Sequence, residues 1–211
     1  MPLATGMAHD VLELLDWKRR VFALYAEVRT AASPVEAWMR WREVRDDLFR
    51  SHPQSPLPAA ERASFTDLSY FAYDPELRVV AELAPQESKT VGIGASNGEP
   101  IAFVRFAEAR FELLGERRAL DVYWLDAYGG GLFLPFADAT SGTETYGAGR
   151  YLLDTVKGAD LGSEGDGVVL DFNFAYNPSC AYDPGWPCPL APPANRLEVD
   201  VRGGESVHPA Q

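Results

Sequence analysis

The chain has 211 residues, 46% of them hydrophobic, and its 19 basic against 31 acidic residues give a formal charge of −12. That length supports one sizeable core with an appended segment rather than two full domains. The negative charge repels phosphate backbones and anionic lipid heads, which argues against nucleic acid and membrane surfaces as partners.

No apolar run approaches the roughly 18 residues of a membrane span, and "MPLATGMAHD" lacks the charged-then-apolar pattern of a secretory signal. The expectation is a soluble, cytoplasmic protein. From Asp10, Leu14, Trp17, Val21, Leu24 and Val28 recur three and four apart, the spacing of one helical face. Asp10 with Glu13 has capping-box spacing, and "SPVE" at 33–36 repeats that signal with proline at the first helical position. A second helix is therefore expected from Pro34, carrying Trp38, Trp41, Val44 or Arg45, and Leu48 inward and ending before Pro53. Two antiparallel helices joined by "AAS" form a hairpin, and its tryptophans are expected in the core rather than on a partner surface. A proline-studded connector with one short helical turn begun at Pro58 follows.

Beyond residue 67 the period changes to short alternating runs broken by Gly, Pro, Asn and Asp, the signature of strands and turns. The candidate strands are "RVVAEL", "KTVGIG", "IAFVRFAEARFELL", "RALDVYWLD", "GLFLPF", "YLLD", "GVVLDFNFAY" and "NRLEVDV", with a hairpin at Gly115-Glu116. Eight short strands without intervening helices predict an α+β, mainly β fold: an N-terminal helical hairpin followed by an antiparallel β-sandwich or barrel. The expected division is a helical segment over 1–66 packed on a β-rich domain over 67–211. In the run 168–175, alternation puts Asp171 and Asn173 on one face, about 7 Å apart. That polar pair faces either bulk water or a ligand-holding interior.

Three segments carry a family resemblance: "YDPELRVVAEL", "VYWLDAYGGGLFLPFADATSGTETYGAGRYLLD" and "LDFNFAYNPSCAYDPGWPCPLAPPANRLEVDVRGGE". Together they resemble the bacterial and archaeal domain-of-unknown-function family numbered sixteen eighty-four over nearly the whole chain. Its characteristic run is matched at Asn177, Pro178, Cys180, Tyr182, Cys188, Pro189 and Asn195. The resemblance implies no activity and no cofactor.

The residues narrow the chemistry. The three histidines lie before the first helix (His9), at the end of the second (His52) and in the tail (His208), away from the candidate strands, so a Ser-His or Cys-His pair or a histidine-ligated zinc is not expected there, and the histidines should be dispensable. Cys180 and Cys188 are half of a zinc set without the other half. They also read as a small-loop disulfide or, in preference, as small buried side chains, and Cys180 as a nucleophile lacks an obvious base. No metal and no cofactor are expected. "GAGR" sets Arg150 after two glycines, where it either pairs with Asp126, Asp154 or Asp171 or clamps an anionic ligand. The proline-rich segment must satisfy its backbone through side chains such as Asn177, Asn195 and Tyr182, which makes it an ordered cover on the sheet. A cover over a polar strand face also makes a pocket.

Three functional readings follow. In the first, a small-molecule-binding β domain gathers its pocket beneath 177–195 from Asp126, Tyr146, Arg150, Asp171, Asn173, Asn177, Cys180 and Tyr182. In the second, an enzyme uses Asp171 and Asp126 as acid and base with Arg150 stabilising negative charge. In the third, the dense motifs only specify architecture.

Overall fold

The computed structural model describes residues 5–207, with side chains from residue 10 onward; His9 and His208 lie outside the described side chains. Two long helices, α1 (Thr5–Thr30) and α2 (Pro34–Ser51), precede the short α3 (Ala59–Arg62). Seven strands follow: β1 (Arg78–Ile93), β2 (Ile101–Leu113), β3 (Glu116–Leu125), β4 (Leu132–Phe136), β5 (Arg150–Asp154), β6 (Ser163–Glu164) and β7 (Gly167–Asp171). They form one curled sheet in the order β5-β4-β3-β2-β1-β7-β6, each neighbouring pair antiparallel.

The second helix is capped as its sequence predicts. The Ser33 hydroxyl accepts from the Glu36 amide, Pro34 opens α2, and the chain leaves the helix at His52, before Pro53. Asp10 is not a cap, because α1 already runs from Thr5. The inward face of α1 is the expected one at Trp17, Val21, Leu24 and Val28 and departs from it at Leu14. Leu24 and Tyr25 are buried while Leu14 is 45% exposed, since α1, with 26 residues to the 18 of α2, outruns its partner at this end. Trp38 and Trp41 are buried as expected, Trp41 donating its indole N–H to the Tyr25 hydroxyl at 3.2 Å. His52 is not dispensable decoration. It is buried, its ring meets Trp17 edge-on, and its Nδ1 accepts from the Gln54 amide.

The sheet departs from simple alternation midway along its two longest strands. "RVVAEL" and "KTVGIG" are one strand, β1, whose first four residues pair with β7 and whose remainder pairs with β2. Midway, Pro85 pairs with Ala107 and Lys89 with Arg105, so residues 86–88 stand opposite Phe106 alone. On the other side of β2, Arg105 pairs with Tyr123 and Ala107 with Val122, leaving Phe106 as an extra residue. A bulge of one residue exchanges the faces of everything beyond it. Consequently Ala107, Ala109, Phe111 and Leu113 point into the main core with Leu24, Tyr25, Trp38 and Trp41 from the helices. Ile93, Phe103, Tyr123, Phe133 and Tyr151 form a second apolar cluster on the opposite face.

Three other features differ from the sequence expectation. The β2–β3 turn is Leu114-Gly115, with φ of 52° and 77°, one residue earlier than expected and of the doubly left-handed kind that suits hairpin twist. β7 stops at Asp171, because the Asp171 carboxylate accepts from the Asn173 amide and starts a 3-10 turn over Phe172–Phe174. "NRLEVDV" is not a strand of the sheet. It runs beside residues 137–139 through isolated backbone bonds, Ala137 N–H to Asn195 O, Leu197 N–H to Ala137 O and Ala139 N–H to Val199 O.

Candidate functional site

The proline-rich segment is a strap across the second apolar cluster. Prolines have no N–H to donate, so the strap is held by the groups it does have. Leu190 N–H donates to Gly94 O, Ala191 N–H to Ala148 O, and Ser96 N–H to Cys188 O. Cys188 N–H in turn donates to the Ser96 hydroxyl, and the Tyr151 hydroxyl donates to Pro189 O. At the far end Asn195, fully buried, docks on β3 as another strand would. Its Oδ1 accepts from the Asp121 amide at 3.0 Å, and its Nδ2 donates to the carbonyls of Asp121 at 2.9 Å and Pro135 at 2.7 Å. Asn195 thus fulfils the expected backbone-satisfying role. Asn177 and Tyr182 do not: Asn177 Oδ1 and the Tyr182 hydroxyl are buried without a hydrogen-bond partner.

Beside the strap's end lies a cleft of about 460 Å³ between residues 190–194 and the faces of β1, β2 and β3. The register sets Lys89, Arg105 and Tyr123 side by side across three strands, because Lys89 pairs with Arg105 and Arg105 with Tyr123. Asp121, two residues before Tyr123, shares that face. Arg105 stands 3.7 Å from Asp121 Oδ2 through one terminal nitrogen, while its Nε is buried with no hydrogen-bond partner. The Tyr123 hydroxyl donates to Asp121 Oδ2 at 3.5 Å. Burial pushes the Tyr123 phenol up, and the neighbouring Asp121 charge adds to that, so it stays a neutral donor. Val91, Ile93, Leu190 and Pro192 complete an apolar wall. Two cations, one carboxylate and a phenol against such a wall favour a small anion with an apolar body.

The expected site residues do not converge. Asp171 lies beneath the α1–α2 connection, in a groove of about 600 Å³ that also includes Arg29, Pro34, Arg78 and Glu164, and not beneath the strap. Its carboxyl is pushed up to about 6 by burial, against the hydrogen bonds of Asn173, the charge of Arg78 and a bond from Tyr73. Asn173 is wholly buried and ties Asp171 to the chain entering β1, accepting from Asp74 N–H and donating to Asp74 O. Asp126 is exposed past the end of β3. With β2 and β1 between β3 and β7, three strand spacings amount to about 14 Å, so Asp126 and Asp171 are no acid-base pair. Tyr146, in the connection between β4 and β5, meets Cys180 of the strap, 3.8 Å between hydroxyl oxygen and sulfur. Asn177 gives its backbone N–H to Glu205 Oε2, and Tyr182 packs edge-on against Phe49.

Arg150 pairs with none of its expected carboxylates. Its partner is Asp138, at 2.8 Å, with the arginine 1% and the aspartate 0% exposed. The guanidinium also donates to the carbonyls of Val201, Gly203 and Glu205. All of this locks the C-terminal stretch onto β5 and leaves no face for a ligand. The glycine before it is there for closeness. Gly149 has φ of 90°, and a Cβ would come within 2.5 Å of Phe136 O and 2.6 Å of Ala191. A second buried pair supports the same stretch, since Arg45 donates to Glu205 Oε2 at 2.7 Å while stacked over Trp41 and Tyr176.

The residues of the cleft, Lys89, Arg105, Asp121 and Tyr123, were not singled out by sequence. One signal was present: Arg105 interrupts the apolar members of "IAFVRFAEARF". The bulge at Phe106 hides which face it occupies.

These features define an α+β protein built on a curled antiparallel sheet, with a helical hairpin on one face and a proline-rich strap on the other. The chain belongs to the DUF1684 family of proteins of unknown function, whose model matches residues 63–206, beginning directly after α3. It is similar to an uncharacterized protein of Haloarcula marismortui solved by solution NMR, with 39% identity and a TM-score of 0.58 over 79% of this chain and 90% of that one. No curated protein matches it. No helix among the described residues is long and apolar enough to cross a membrane.

Proposed function

We propose that the protein binds a small organic anion in the cleft between 190–194 and the Lys89-Arg105-Tyr123 row. The observation that carries this reading is Arg105: its guanidinium opens on a cleft of ligand size with a buried Nε that nothing in the fold satisfies. A buried donor without a partner costs about 1 to 3 kcal/mol, and a carboxylate bound in bidentate fashion removes that cost. The strap supplies the rigid apolar wall, so the ligand meets a site that is already formed. The test is an NMR titration with benzoate, 4-hydroxybenzoate, hexanoate and inorganic phosphate. A saturable shift of the Gly92, Gly94, Arg105 and Tyr123 amides by a carboxylate is expected, weakened about tenfold or more in Arg105→Gln, since a hydrogen bond to a charged group contributes about 1.5 to 3 kcal/mol. Saturable shifts elsewhere, or none at the cleft, would refute it.

A second reading, carboxylate acid-base chemistry, rests on Asp171 alone. A carboxyl with a pKa of about 6 at the wall of a groove suits proton transfer near neutral pH. Turnover abolished in Asp171→Asn but retained in Arg105→Gln would select this reading over the first.

A further inference from the structure

The strap carries a feature that the cleft does not use. Cys180 and Cys188 are both free and buried, with 8% and 3% exposure. The Ser179–Ala181 turn brings the Cys180 N–H to 3.3 Å from the Cys188 sulfur, which sets the two cysteines side by side. From the third side the Tyr146 hydroxyl reaches the Cys180 sulfur. Cys188 is fixed, because its N–H and its carbonyl are both bonded to Ser96. Cys180 sits in a short 3-10 turn and is the more exposed of the two.

We propose that Cys180 and Cys188 are a redox-active dithiol, in which Cys180 is oxidised by a hydroperoxide and Cys188 resolves it to an intramolecular disulfide. The electrostatics agree with this division of roles. The hydrogen bond from Cys188, helped by that from Tyr146 and opposed by burial, draws the Cys180 thiol down to about 6. The neighbouring Cys180 sulfur, with burial, pushes Cys188 up, so Cys188 keeps its proton. The thiolate is the nucleophile and the protonated partner waits. In the first step the Cys180 thiolate attacks one oxygen of the hydroperoxide. The O–O bond breaks, the departing alkoxide takes a proton from solvent and leaves as an alcohol, and a sulfenic acid remains on Cys180. In the second step the Cys188 sulfur attacks the Cys180 sulfur. The S–S bond forms, the S–O bond breaks, and hydroxide leaves with the Cys188 proton as water. Two thiols lose two electrons to the peroxide, which ends as one alcohol and one water.

The experiment treats the intact reduced protein with hydrogen peroxide or tert-butyl hydroperoxide and reads its mass under native conditions. The wild type is expected to lose about 2 Da, as two hydrogens, with no change in oligomeric state, and to regain them with dithiothreitol. Cys188→Ser should stop at the sulfenic acid, captured by dimedone on Cys180, and Cys180→Ser should react at least tenfold more slowly. The wild-type reading needs no variant to fold. An unchanged wild-type mass at millimolar peroxide would overturn the proposal, as would a product linked between chains or undiminished oxidation in a folded Cys180→Ser protein.

Discussion

Asn195→Ala should loosen the strap from its far end, and the structure sets the size of the effect. The side chain makes three hydrogen bonds, one from the Asp121 amide and two to the carbonyls of Asp121 and Pro135, at a site with no exposure. At about 1 kcal/mol net for each bond the loss is about 3, and the Asp121 amide and Pro135 carbonyl left dry add about 1 to 2, for a total of about 4 to 5 kcal/mol. Against a typical stability of about 5 to 15 kcal/mol, the variant still folds. Urea denaturation followed by tryptophan fluorescence measures the shift in midpoint at an unchanged m-value, and amide exchange locates it. The amides of Leu190, Ala191 and Leu197 should lose protection while those of β2 keep theirs. Asn195→Asp should do no better than alanine, because a carboxylate would face two carbonyl oxygens. A loss below about 1 kcal/mol with the strap still protected would refute the idea that one side chain stands in for a strand edge here.

Asp171 gives a pH prediction whose sign follows from burial. Its folded-state pKa of about 6 lies above the ordinary value of 3.8, so the folded state binds more protons between these values and stability falls as pH rises from about 4 to about 6. The loss amounts to about 3 kcal/mol for two units, and Asp171→Asn should flatten that part of the stability-pH curve; because Glu205 and Asp46 are also raised by burial, an unchanged slope in the variant would assign the effect to them. Arg150→Gln leaves Asp138 buried and unpaired, which should cost about 3 to 5 kcal/mol and expose 201–207 to limited proteolysis. An equally stable, protease-resistant variant would contradict the clamp. Leu114→Asn should stabilise the protein by about 1 kcal/mol, since Leu114 is exposed and held at positive φ where asparagine is better tolerated; a lower melting temperature would count against that turn geometry.

Local physics made much of this protein readable from its sequence. Ser33-Pro34 opens α2, Pro53 follows its end, and the tryptophans three residues apart turn to the core, because capping, proline sterics and the 3.6-residue period act within a few residues. The β-rich body followed from short alternating runs for the same reason. The candidate site was not readable to that degree. Asp171 and Asn173 do sit together, yet through a cap and not through strand phase, so the groove they mark differs from the expected pocket.

Composition, period and punctuation by themselves determined the helices, most strands, the antiparallel α+β class and an ordered proline-rich cover. Tertiary structure alone decided which face each residue took and which distant group it met. A single extra residue at Phe106 reverses the pleat and sends Arg105 and Tyr123 under the strap while Ala107 and Phe111 enter the main core. The choice of Asp138 over Asp126, Asp154 or Asp171 for Arg150 is likewise one of register and chain path. All four carboxylates suit a guanidinium, and only the path of β4 and the turn after it brings one to 2.8 Å in a dry interior.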